Sequence, residues 1–416
     1  MMSQTEIKNL RINRDRLWST LMEMAAIGAT RKGGCNRQAL TTLDKAGREL
    51  FISWCKEIGC EIRWDEIGNI FARYPGADPE AGAVLMSSHL DTQPTGGKFD
   101  GVYGVLGGLE VLRTIHESNI TPAHSLEVAV WTNEEGARFS PACMGSGVWS
   151  GNLDIDTILQ VTDKDGISVA DALETSGFKG LIKAQPHNIA AAIELHIEQG
   201  PVLEKQQKDV GIVTGIQGLR WFTITLHGIP CHAGPTPMED RTDPVQPMAD
   251  IIQAAYTISA QYGPASRATI GEIITQPGSP NTVPETVVIR VDLRHQDAEI
   301  MKTMDQSFRQ QVAEICTRHS VGYKLEEKWR MEVTTFDDAC IAAVGKASQI
   351  VGVSAMNIVS GAGHDSLYLS QRVPTSMIFI PCKDGISHNE AESITESQAE
   401  AGANVLLHTV LQLANT

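Results

Sequence analysis

Residues 83–115 read AVLMSSHLDTQPTGGKFDGVYGVLGGLEVLRTI, and a change of period inside this stretch decides the fold class. Residues 83–87 form a short, mostly apolar run, as in a strand buried on both faces. A glycine-rich loop follows. From residue 102 to 115, Val105, Leu109, Leu112 and Ile115 recur at helical spacing. Strand, loop and helix then alternate outward. LEVAVW (126–131), NIAAAIEL (188–195) and SMIFI (376–380) are predicted strands, and 397–413 a closing helix. Leu17, Leu21 and Met24 mark an amphipathic helix near the start. Such alternation implies βαβ units and a mainly parallel sheet. The middle differs. RWFTITLH (220–227) and VVIRVDLR (287–294) alternate apolar and polar residues like half-exposed strands, and 248–260 and 301–318 read as helices. The expectation is an α/β fold. A mainly parallel catalytic domain would be built from 1–213 and 329–416, with a smaller α+β domain inserted at 214–328.

At roughly 150 residues per domain, 416 residues suggest two or three domains. A composition of 42% hydrophobic and 20% charged residues suits a large core. The net charge of -16 repels phosphate backbones, which argues against nucleic acid as a partner. No apolar run approaches the roughly 20 residues that span a bilayer, and the first residues lack a secretory apolar core. Eight scattered cysteines without a C-x-x-C pair read as reduced thiols, so a cytoplasmic protein without cysteine–zinc sites is expected.

Five segments concentrate metal-ligating residue types: Ser88-His89-Leu90-Asp91-Thr92, Asp100-Gly101, Asn133-Glu134-Glu135-Gly136, Leu195-His196-Ile197-Glu198 and Ser387-His388-Asn389-Glu390. Four follow the C-terminal end of a predicted strand, and Asp100 opens the helix after one of them. That edge of a parallel sheet forms the ligand crevice. His89, Asp100, Glu135, His196 and His388 supply three imidazoles and two carboxylates, enough for two divalent ions if Asp100 bridges them. Zinc is expected first, with manganese, cobalt or nickel as alternatives. Asp91, two residues after His89, is expected to accept the other ring N–H of that histidine. Glu134 is expected to be the general base. Taken singly, a His-x-Asp pair is usually structural and two adjacent glutamates usually a solvated face. The joint pattern, with Glu134-Glu135 at the end of a buried strand, is what outweighs those readings. Met144 before Gly145-Ser146-Gly147 breaks the nucleophile-elbow pattern of serine hydrolases. Cys143 offers a cysteine nucleophile that nothing in the pattern requires, and it reads rather as core.

SSHLDTQPTGGKFDGVYGVLGGLEVLR, WTNEEGARF, ELHIEQGP, CHAGPTPM and ISHNEAE together resemble the hydantoinase/carbamoylase amidases of the M20 metallopeptidase clan. These comprise N-carbamoyl-L-amino-acid hydrolases, β-ureidopropionases and allantoate amidohydrolases. The resemblance implies one ion on His89, Asp100 and His196, a second on Asp100, Glu135 and His388, and Glu134 as base. It also implies that the inserted domain serves as a dimerisation or lid domain in a homodimer, with His232 reaching the partner's site. By itself Arg294 reads as a surface salt bridge with Asp292. The resemblance makes it a grip on a substrate carboxylate, and adds Gln199, His232, Asn281, Gly363 and His364 to the pocket, with Asp365 orienting His364. His232 would also donate to a developing oxyanion.

The expected activity is cleavage of the ureido C–N bond of an N-carbamoyl amino acid, α or β, to amino acid, carbon dioxide and ammonia. Allantoate hydrolysis is the runner-up. A dipeptidase is a third reading, against which His196 counts, since peptidases of the clan generally carry Asp or Glu there. A non-catalytic metal-dependent binding protein is a fourth, and an intact Glu134 counts against it.

Overall fold

The structure is a computed structural model that describes residues 4–415. The chain divides into two compact units, one of residues 1–215 and 335–416, the other of residues 216–334.

The first unit is built on a nine-stranded sheet. Its middle runs Leu126–Trp131, Ala83–His89, Ile189–Ile197 and Thr375–Ile380, four strands in parallel. Antiparallel neighbours flank them. Ile70–Tyr74 and then Glu61–Trp64 lie on one side, and Val210–Ile216 on the other. Three of the four parallel strands are buried along their whole length, which is why their sequences carry no polar alternation. Their apolar side chains pack on one face against the helices Val102–Glu117 and Glu396–Leu413 and on the other into a cluster that includes Trp131, Trp149 and Leu369. Fully burying one such side chain contributes about 1.5–3 kcal/mol.

Helix Val102–Glu117 is buried on nearly all sides, Val102 through Ile115 without exception. Gly104 lets it approach the sheet, since a Cβ there would lie 2.3 Å from the carbonyl oxygen of Leu195. Helix Glu396–Leu413 packs beside it, opened by a capping box of Thr395 and Gln398 that satisfies two backbone donors. Helix Arg14–Ala26 covers the same layer through Leu17, Leu21 and Met24.

The second unit is a four-stranded antiparallel sheet in the order Gly322–Met331, Gly218–His227, Thr286–His295, Arg267–Gln276. Val287, Ile289, Val291 and Leu293 share one face with Phe222, Ile224 and Leu226, and helices Val245–Gln261 and Ala298–Arg318 cover that face. Arg290, Asp292 and Arg294 point the other way. A two-stranded ribbon pairs Cys231–His232 with Thr282–Val283.

Candidate active site

All four parallel strands end at the same edge of the sheet, and the five expected ligands lie at those strand ends or on the loops that leave them. His89 is the last residue of its strand and His196 the last but one of its own. Asn133-Glu134-Glu135 follows Trp131 after one residue. Asp100 lies two residues before the helix Val102–Glu117. His388 lies on the loop after Thr375–Ile380.

The donor atoms form two triads, His89–Asp100–His196 and Asp100–Glu135–His388. Asp100 Oδ1 stands 3.1 Å from His196 Nε2 and 3.7 Å from His89 Nε2. Its other oxygen, Oδ2, stands 3.5 Å from His388 Nε2, which is 3.2 Å from Glu135 Oε2. Donors that share one ion at about 2.0–2.2 Å in a tetrahedron stand about 3.3 Å apart. The observed spacings fit, and each oxygen of Asp100 faces a different triad. The ring tautomers fit as well. His89 Nδ1–H donates to the backbone oxygen of Asp91 and His196 Nδ1–H to that of Ile197, both at 2.9 Å, which turns each Nε2 towards the site, where the Gly101 N–H also reaches that of His196 at 3.2 Å. The residues present therefore suit divalent cations.

The partner of His89 is the carbonyl of Asp91 and not, as the spacing suggested, its carboxylate, which lies 3.9 Å from Nδ1. That carboxylate accepts instead from the backbone N–H groups of Glu134 and Glu135, at 3.3 and 3.2 Å. Two residues along the chain brings both oxygens within reach of the ring. The tight loop after the strand presents the main-chain one.

Negative charge is crowded here. Burial, and then the nearby charges of Asp365 on Glu134 and Asp100 on Glu135, hold both glutamic acids well above the ordinary range. Burial and Asp44 raise Asp91 to about 7, and burial and Asp100 raise Glu392 to about 8. Burial alone would raise Asp100, but His196, His89 and His388 outweigh it and hold it far below its usual value. Burial lowers His89 to about 4. For His196 burial acts downward too, yet the hydrogen bond and charge of Asp100 carry it up to about 9. Cations placed between these groups would relieve the repulsion that keeps protons on the carboxylates.

Backbone strain collects at the same edge. Asn133, Cys143, Gln199 and His388, none of them glycine, sit at φ between +50° and +57°. Such conformations cost about 1–3 kcal/mol each and persist where packing over-determines them. Gly101 takes φ +68° directly against the His89 ring.

The chain matches the model of Peptidase family M20/M25/M40 over residues 85–412. It belongs to that family. Among M20 relatives, an N-carbamoyl-L-amino-acid amidohydrolase of Rhizobium meliloti is 44% identical, covering 98% of each chain. An allantoate amidohydrolase of Bacillus subtilis is 34% identical over 94% of this chain and 95% of its own. The crystal structure of a hydantoinase/carbamoylase family amidase from Burkholderia multivorans superposes with a TM-score of 0.94 at 46% identity, covering 98% of this chain and 99% of that one.

The remaining residues singled out from the sequence divide between the units of this M20 chain. In the first, Gln199 Nε2 donates to Asp100 Oδ2 at 2.8 Å and to Ser387 Oγ at 3.0 Å, while its buried Oε1 has no hydrogen-bond partner among the described residues. His364 is buried with its ring centroid 4.5 Å from that of His196, and its Nε2 meets Ser360 Oγ at 3.1 Å. Asp365, expected to orient His364, accepts a hydrogen bond from Ser146 Oγ instead. The Asp365 backbone opens a short helix, which carries its carboxylate to the Met144–Trp149 helix. Gly363 is exposed on the loop before His364.

In the second unit, His232 and Asn281 share the two-stranded ribbon, with the Ala233 N–H donating to the Asn281 carbonyl at 2.9 Å. Arg294 Nη2 pairs with Asp292 Oδ2 at 2.8 Å, the salt bridge that composition suggested.

Several residues of the site escaped sequence reading. Ser387 Oγ donates to Asp100 Oδ2 at 2.7 Å. Glu392 Oε1 accepts from the backbone N–H groups of Phe99 and Asp100. Gln93 donates twice to the Glu135 carboxylate. All three lie inside motifs that were legible, next to a ligand or four residues beyond it.

Proposed function

We propose that this chain is a metal-dependent amidohydrolase that cleaves the ureido C–N bond of N-carbamoyl amino acids. The observation that carries this reading is the pair of triads sharing Asp100 with the carboxylate of Glu134 beside them, Oε2 3.4 Å from His89 Nε2. The fold and family likeness to N-carbamoyl-L-amino-acid amidohydrolases supports the substrate class. His89–Asp100–His196 and Asp100–Glu135–His388 would hold two divalent ions, zinc foremost, whose Lewis acidity would polarise a carbonyl deactivated by two nitrogens and acidify water. Gln93 and Ser387 keep Glu135 and Asp100 aimed. Glu134 takes a proton from the attacking water and returns it to the departing nitrogen. The bond to the terminal nitrogen breaks, ammonia leaves, and the carbamate that remains loses carbon dioxide to give the amino acid. Arg294 and Asn281 bind the substrate carboxylate, with Gln199, Gly363 and His364 lining the pocket. His232 donates to the oxyanion from the partner subunit of a homodimer. The unit of residues 216–334 serves as its dimerisation and lid domain.

We place the enzyme in the cytoplasm. All eight cysteines are free, and among the described residues no helix is long and apolar enough to cross a membrane.

The test is ammonia release from N-carbamoyl-L-methionine, N-carbamoyl-β-alanine and allantoate, with a dipeptide assayed beside them, on protein reconstituted with each metal. Turnover of a carbamoyl amino acid is the expected result. Exclusive turnover of allantoate, or cleavage of the dipeptide alone, would replace the substrate. Inertness towards all four, with metal bound, would leave a binding protein. Glu134→Gln is expected to keep its metal and lose about 10²–10⁴-fold in kcat. Full activity in that variant would remove Glu134 from the mechanism.

A further inference from the structure

The two adjacent glutamates are held in opposite ways. Glu135 accepts two N–H donors from Gln93, at 3.1 Å on Oε1 and 2.8 Å on Oε2. Such donors fix and stabilise a carboxylate as a ligand. Glu134 faces a thiol. Cys143 Sγ lies 3.5 Å from Glu134 Oε1, while Oε2 turns towards His89. The thiol is the donor in this contact, and burial pushes its pKa up. A thiol is a weak donor on a soft, space-filling atom. It can orient a carboxylate without binding it as tightly as an amide would.

The backbone repeats the connection. The Cys143 N–H donates to the Glu134 carbonyl at 2.7 Å, and Asn133 Nδ2 ties the base of the loop to the Phe139 carbonyl at 2.8 Å. Cys143 itself sits at φ +50°, ψ +38°. Glycine is the residue free to adopt that conformation, so a side chain is carried here against the local backbone preference.

We propose that Cys143 is a positioning residue for the general base: its S–H donates to Oε1 of Glu134 and keeps Oε2 aimed at the side of the site where His89 and Asp100 stand. This rests on Glu134 being the base.

The experiment is a steady-state comparison of Cys143→Ala, Cys143→Gly and Cys143→Ser on the metal-loaded enzyme, with KM, metal content and melting temperature measured beside kcat. Loss of orientation forfeits part of what a base contributes, so kcat is expected to fall about tenfold in the alanine variant with KM and metal content unchanged. Cys143→Gly, which relieves the left-handed backbone while removing the thiol, is expected to lose as much, and it answers the question should the alanine variant not fold. Cys143→Ser retains a donor and is expected within about threefold of the parent. On a Glu134→Asp background, where the carboxylate has already withdrawn, removing the thiol is expected to cost less than about twofold more.

Unchanged kcat in the alanine or glycine variant overturns the proposal. So does an undiminished loss on the Glu134→Asp background, or a fall in metal content that accounts for the loss of rate. If Glu134→Gln is inactive while Cys143→Gly is fully active, only the role of Cys143 falls. If Glu134→Gln is active, the base assignment falls with it.

Discussion

Replacing Gly101 by alanine puts the geometry of the first triad to a direct test. The backbone there sits at φ +68°, and a Cβ would stand 2.2 Å from His89 Cε1, 2.3 Å from Nε2 and 2.4 Å from Cδ2. Ordinary carbon contacts are about 3.5–4.0 Å, so the ring must retreat by more than about 1 Å. Metal ligands hold their distances to within about 0.2 Å, and an ångström of misplacement at a reacting centre costs about 10²-fold. That is about 2.7 kcal/mol lost from function. The left-handed backbone adds about 1–3 kcal/mol of global destabilisation. The expected variant is folded by circular dichroism, melts lower, binds one equivalent of divalent metal at least 100-fold more weakly in a chelator competition, and releases ammonia correspondingly slowly. The second equivalent, on Glu135 and His388, is expected to weaken less. A Gly101→Ala protein with its full metal complement at parental affinity would refute the placement of His89 Nε2 as a ligand.

Two further expectations concern the frame around the site. Asp44 and Arg48 are both fully buried and paired at 2.7 Å, and Arg48 also reaches the Gly68 carbonyl and Thr132 Oγ1, beside the Glu134 loop. Asp44→Ala leaves the guanidinium buried without its counter-charge and is expected to cost about 3–5 kcal/mol in urea unfolding; a loss below about 1 kcal/mol would show that the pair is dispensable. Burial pushes Glu127 up, but His187, Arg63 and Arg73 outweigh it and hold its carboxyl below the usual value. A depressed carboxyl contributes stability above its unfolded pKa, about 4.3, and loses it as pH falls through the folded one. Melting temperature against pH should therefore drop more shallowly below about pH 4 in Glu127→Gln than in the parent, and an unchanged acid limb would contradict the assignment.

What the sequence disclosed follows from which signals are one-dimensional. The strands 83–89, 126–131, 189–197 and 375–380 are largely buried on both faces, so their residues are mostly apolar and readable. Arg267–Gln276 and Gly322–Met331 flank the second sheet as its outer strands. Their exposed faces and charges, as in GYKLEEKWRM, left no apolar alternation to follow. The ligand types could be read because each sits just past a strand end. Which oxygen of Asp91 meets His89 could not, because spacing gives proximity and not orientation. Cys143 escaped for a related reason. A cysteine in an apolar stretch looks the same whether it fills space or touches a carboxylate. Gln199 and Ser387 meet Asp100 across 99 and 287 residues, a distance over which no local pattern speaks.

The order of the parallel strands bears on how the molecule is made. Thr375–Ile380 lies between Ile189–Ile197 and Val210–Ile216, strands that leave the ribosome some 160 residues or more earlier. Until it arrives, the hydrogen-bonding edge of Ile189–Ile197, rich in alanine, isoleucine and leucine, has no neighbour on that side, and such an edge invites association with other chains. Closing so distant a pairing is slow. Nascent chains stalled before residue 375 should be chaperone clients, and His388 emerges only after the sheet can close, so the second triad can assemble only once synthesis has passed the last strand of the parallel set.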